Sequence, residues 1–178
     1  MFKKALILCF IFLFGCAGAQ KEMINLPHSK YSWHIKESVY TPDEGRISQA
    51  ILIFHKRWKD RFGDKKGKVK KSLDNLMIEW STEEKILNNI GRNNNGDIVK
   101  RGRVNGMTLS PTYIWLRANQ YERVFATSLM HELVHVALWS QGCSSGDPDH
   151  EGGKYRCWTK QHTKFIIHLN NILAKLDI

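Results

Sequence analysis

The chain has few acids for its size. Against 27 lysines and arginines stand 17 aspartates and glutamates, giving a formal net charge of +10 over 178 residues. It has no internal repeat and no low-complexity segment, and its one long apolar run, Ala5 to Phe14, is too short for a bilayer-spanning helix. These absences leave one compact domain with enough apolar residues to bury a core without staples.

The first residues, MFKKALILCFIFLFGCAGAQ, place Lys3 and Lys4 before that apolar run and small residues after it, the layout of an export signal. Two processing routes compete. Leu13-Phe14-Gly15-Cys16 resembles a lipobox, which would put a lipid anchor on Cys16; Ala17-Gly18-Ala19 fits ordinary cleavage before Gln20. Both place residues 20–178 as a single domain in the periplasm or cell envelope, and the lipid-anchored form is preferred although Phe14 is bulky for a lipobox. Losing Lys3 and Lys4 lowers the net charge from +10 to about +8. Cys9 and Cys16 leave or are modified, so Cys143 and Cys157 remain as a pair in an oxidising compartment, where a disulfide is the expected state.

Much of the positive charge sits in residues 55–71, HKRWKDRFGDKKGKVKK. The stretch reads as a solvated helix end and loop that could attract an anionic surface. No aromatic residues alternate with the loop lysines, so nothing supports specific nucleic-acid binding by stacking.

The expected fold class is α+β: a small, mostly antiparallel sheet packed with a buried helix and two further helices. Residues 20–40 read as an extended arm carrying Tyr31 and Trp33. Thr41-Pro42-Asp43-Glu44 reads as a helix start with Thr41 as cap, and Ile47, Ala50, Ile51, Phe54, Trp58 and Phe62 form one face before Gly63. Leu76 to Trp80 reads as a strand, and residues 96–117 as strand, Asn-Gly turn, strand. A helix capped by Asn119 and ended by Gly142 is apolar almost all round, so it should be buried. A last helix from about Thr159 to Leu176 presents His162, Ile166, Leu169, Leu173 and Leu176.

The buried helix contains His131-Glu132-Leu133-Val134-His135. Residues four apart share a helix face, so His131 and His135 can present two imidazoles to one ion, with Glu132 beside them where its carboxylate can reach a bound water. Zn2+ held by three protein ligands keeps a position for water and polarises a carbonyl, and Glu132 would be the general base. A third ligand is required. His150 is favoured, in a polar loop that a Cys143 to Cys157 disulfide would hold near the helix end and that supplies Asp147 and Asp149 to orient its ring. His162 and Glu151 are the alternatives, and Tyr155 or His162 could stabilise an oxyanion.

These residues resemble the zincin metallopeptidases, and among them short SprT-like or minigluzincin-like domains. The resemblance runs over about residues 76–176: a strand, the HELVH helix, a loop, a third histidine and a closing helix. It implies a peptide or protein substrate bound along a sheet-edge strand, for which residues 106–116 are the candidate. Two departures leave the third ligand open: Glu151 stands where SprT-like members often have glycine, and the phenylalanine three after their third histidine is matched by Phe165 after His162. Two other readings stand beside a peptidase: a non-catalytic envelope lipoprotein that keeps the fold and binds a partner, and a metal-dependent amidase acting on cell-wall peptide.

Overall fold

The computed structural model describes residues 31–34, 43–92, 98–118, 122–148, 150–151 and 155–176. The expected export signal, the expected lipid-bearing Cys16, and the expected caps Thr41 and Asn119 lie outside these residues. The element order is β1 (Tyr31–His34), α1 (Glu44–Phe62), α2 (Lys68–Asp74), β2 (Met77–Ser81), β3 (Lys85–Arg92), β4 (Ile98–Val104), β5 (Gly106–Ser110), β6 (Tyr113–Arg117), α3 (Glu122–Ser140) and α4 (Lys160–Lys175). The architecture is α+β, as expected. Among the described helices none is long and apolar enough to cross a membrane.

Helix α1 starts later than the sequence suggests. Its cap is Asp43, whose carboxylate accepts the Arg46 N–H at 2.8 Å; an anionic side chain there also meets the positive end of the helix dipole. The expected apolar face is confirmed: Ile47, Ala50, Phe54 and Trp58 are buried, and Gly63 ends the helix at φ 81°.

The lysine-rich stretch is more ordered than a loop. Asp64 follows α1 and accepts the N–H groups of Val69 (2.9 Å) and Lys70 (3.1 Å). Its carboxylate also meets His55 Nε2 of α1 at 3.1 Å. One aspartate thereby caps α2 and ties it to α1. The short helix buries Val69, Ser72 and Leu73 and leaves Lys65, Lys66, Lys68, Lys70 and Lys71 exposed. Three buried positions in one short helix, set among lysines, make too faint a pattern to read as helix from sequence.

The main sheet has the order β1-β2-β6-β5, and β3 and β4 form a separate two-stranded sheet. The expectation of a mostly antiparallel sheet is corrected: within the main sheet β1 with β2 and β2 with β6 pair in parallel and β5 with β6 is antiparallel, while the separate β3–β4 pair is antiparallel. Strand alternation carries no information about direction, and here the β3–β4 hairpin and β5 intervene between β2 and β6, allowing the parallel return. Asn105-Gly106 is likewise not a hairpin turn between paired strands; it is where the chain passes from the small sheet into the large one. Residues 106–116, read as one strand, are a hairpin in which β5 folds back on β6 through Pro111-Thr112.

Helix α3 lies in the core, with Leu129, Met130, Leu133, Val134, Val136 and Ala137 fully buried. Each such side chain contributes about 1.5–3 kcal/mol when aliphatic and fully withdrawn from water, which fixes the helix that carries the first two histidines. Gly142 ends α3 at φ 104°, with Cys143 N–H returning to Leu138 O at 3.0 Å. Helix α4 packs Phe165, Ile166, Leu169 and Leu173 inward; Leu176 lies past its end and is exposed, outside the face expected for it.

Candidate metal centre

Helix α3 places His131 and His135 one turn apart, and the loop after it brings back His150. The three Nε2 atoms converge: 3.2 Å between His131 and His135, 3.1 Å between His135 and His150, and 3.0 Å between His150 and His131. Three such nitrogens cannot satisfy one another, since each ring nitrogen offers either a proton or a lone pair. They can hold a metal ion. A tetrahedral zinc site with Zn–N bonds of about 2.0–2.1 Å sets its nitrogens roughly 3.3 Å apart, close to this spacing.

The electrostatics agree with a ligand role. Burial, with the neighbouring His135 and His150, pulls the His131 pKa down to about 3. Burial pulls His135 to about 4, helped by His150 and opposed by its bond to Gly146. Both rings are therefore neutral at physiological pH, the form that binds a metal. His135 Nδ1–H donates to the Gly146 carbonyl at 2.7 Å, which fixes the tautomer and aims the Nε2 lone pair into the cluster. Gly146 can approach this closely only because it has no side chain: it sits at φ 68°, and a Cβ would lie 2.4 Å from His135 O.

The loop that carries His150 is tightly constrained. A disulfide joins Cys143 to Cys157, with their Cα atoms 6.3 Å apart. Inside it Asp147 is fully buried, and its Oδ2 accepts the Trp158 N–H at 2.7 Å. Asp147 therefore braces the two ends of the loop, in place of the expected bond to the His150 ring; Asp149 lies outside the described residues. Ser145, Asp147, His150 and Arg156 all have positive φ without being glycine, a concentration of backbone strain that marks functional loops.

Glu132 faces the sheet. It is buried, and its Oε2 accepts the Thr108 hydroxyl at 2.8 Å. On the same face of β5, Gly106 lies so close that a Cβ would stand 2.6 Å from Glu132 Oε1. Burial pushes the Glu132 pKa up to about 7, partly offset by the hydrogen bonds from Thr108. A carboxylate poised near neutrality and held by a hydroxyl is suited to taking and returning a proton.

The alternative residues sit elsewhere. His162 Nδ1 accepts the Thr159 N–H at 2.9 Å as part of the α4 cap, and its ring stacks on Phe62 with centroids 4.5 Å apart. Glu151 accepts the Thr163 hydroxyl at 2.7 Å, and Tyr155 packs against the hydrophobic core. Sequence reasoning missed Gly106, Thr108, Gly146 and Trp158. Only the glycines left a signal, as residues permitting close backbone approach, and nothing in the chain says what they approach.

Comparison of the chain with protein families, curated proteins and solved structures gives no match.

Proposed function

We propose that the protein is a zinc-dependent peptide hydrolase, with His131, His135 and His150 as ligands and Glu132 as general base. One observation carries the reading: three imidazoles converge on one point, and the residue beside the first is a buried carboxylate held by its own hydrogen-bond donor. Either feature alone has ordinary structural explanations; together they match the needs of amide hydrolysis. Zinc, when bound, would supply a Lewis acid and a water acidified to about pKa 7. Glu132 takes a proton from the attacking water as the C–O bond forms, then delivers it to the amine as the C–N bond breaks.

Strand β5 supports a peptide as the substrate class. It lies at the edge of the main sheet, and Gly106 and Thr108 carry Glu132 directly behind it. An extended peptide adding to that edge would bring its backbone alongside the base. A site outside the cytoplasm agrees with the export signal and with the disulfide, which persists in oxidising compartments.

The test is metal analysis beside a peptidase assay on the purified protein and on Glu132→Gln. The variant should keep one zinc per chain and lose hydrolysis by several orders of magnitude, because it removes a proton acceptor and no ligand. Zinc bound without cleavage by the unmutated protein would replace this reading with a non-catalytic metal protein.

A further inference from the structure

Trp158 follows the second cysteine of the loop and is almost fully buried. Its ring lies 5.0 Å from that of His131, 4.6 Å from His135 and 4.7 Å from His150, centroid to centroid. One indole thus touches every member of the histidine cluster, two of them on a helix and one on a loop. The ring is itself fixed at both ends. Its backbone N–H is held by Asp147, and its Nε1–H donates to the Thr163 hydroxyl at 3.0 Å. The Thr163 hydroxyl in turn donates a hydrogen bond to Glu151, the residue after His150. The chain of bonds from indole to Thr163 to Glu151 therefore returns to the loop whose histidine the indole contacts.

An imidazole turns about its side-chain bonds unless packing or hydrogen bonds stop it. His135 has its Gly146 bond as a second restraint. A flat, rigid ring set against all three supplies the restraint in common, and it excludes water from that side of the cluster. We propose that Trp158 is the positioning residue of the metal centre: its buried indole is the shared wall that sets the imidazoles of His131, His135 and His150 in ligand geometry. The inference rests on the metal-site part of the proposed function and is independent of whether the protein cleaves peptides.

The experiment is titration of the full-length protein with zinc against a competing chelator, and with cobalt followed by its visible absorption. Trp158→Leu, Trp158→Phe and Thr163→Val are compared, with melting temperature as the measure of fold. Loss of support around a ligand costs roughly 10 to 100-fold in metal affinity. Trp158→Leu should fall at the upper end with an altered cobalt spectrum, Trp158→Phe nearer the lower end, and Thr163→Val below both. A folded Trp158→Leu with unchanged zinc affinity and an unchanged cobalt spectrum would overturn the proposal and leave Trp158 a core residue that affects only melting. Should Trp158→Leu fail to fold, Trp158→Phe decides: wild-type affinity and spectrum overturn the proposal, and weakened binding with a changed spectrum upholds it. If the unmutated protein binds neither metal, the metal-site reading itself falls and this inference with it.

Discussion

Two of the three histidines stand on a helix and the third on a loop, and the two supports are built differently. Helix α3 holds His131 and His135 by ordinary means: regular backbone, a 3.2 Å approach set by one helical turn, and fully buried neighbours such as Leu133 and Val134. The loop holds His150 with a disulfide, a buried aspartate, several strained backbone positions and a glycine in contact with His135. Regular structure places ligands four apart at no special cost. A histidine from elsewhere in the chain needs a scaffold of its own, and here Cys143, Gly146, Asp147, Cys157 and Trp158 supply it.

The comparison breaks most sharply at the loop histidine. His150→Ala should cost most of the zinc affinity, whereas His162→Ala should leave it nearly unchanged and lower the melting temperature, since His162 caps α4 and packs among Phe62 and Trp58. Zinc titration and thermal melts of both variants check this, and the reverse pattern would move the site to His162.

Reducing the disulfide should have a smaller effect, on the loop side alone. The chain-entropy account gives roughly 3 kcal/mol of stability for a loop of about fifteen residues. Reduction by a dithiol should lower stability by about that amount and weaken zinc binding in the unmutated protein, while zinc binding by His150→Ala, already poor, should change little. Equal weakening in both would mean the disulfide acts on the whole fold and not through His150.

The smallest effect is expected far from the site, at Asp64. Burial alone would raise its pKa, but the bonds from Val69 N–H, His55 and Lys70 N–H outweigh it and hold the carboxyl below its usual value of 3.8. A depressed folded-state pKa contributes stability that is present above the unfolded pKa and is lost as pH falls through the folded one. Asp64→Ala should therefore cost about 0.5–2 kcal/mol near neutrality, the range for a lost helix cap, and the difference from the unmutated protein should shrink below about pH 4. Zinc affinity should be unaffected. Urea melts across pH check the first part and metal titration the second.

The same division explains what the sequence could tell. His131, Glu132 and His135 were legible because helical period is local, and the apolar faces of α1, α3 and α4 were legible for the same reason. His150 lies with His131 and His135, and the two cysteines that bracket it are the sequence signal that favours it. The direction of β2 against β6, the hairpin hidden in residues 106–116, and the short helix α2 were not legible. Strand direction depends on where the chain travels between strands, and α2 depends on Asp64 meeting two N–H groups five and six residues later. Thr108 and Trp158 were missed because their partners lie at a distance that no spacing rule spans: Thr108 meets Glu132 from another element, and Trp158 meets histidines on both sides of the disulfide.

The separation of the two sheets sets how the molecule opens. Strands β3 and β4 pair with each other and not with the main sheet, and among the described contacts between the two Glu84, just before β3, bridges Arg103 of β4 and Arg117 of β6, Lys85 lies over Trp115, and the Arg117 N–H donates to the Asn105 carbonyl beside β4. Exposed ion pairs of this kind are worth about 0–1 kcal/mol each, far less than the buried contacts that unite β2, β6 and α3. The amide protons of β3 and β4 should exchange ahead of those of β2 and β6, which a hydrogen-exchange measurement checks.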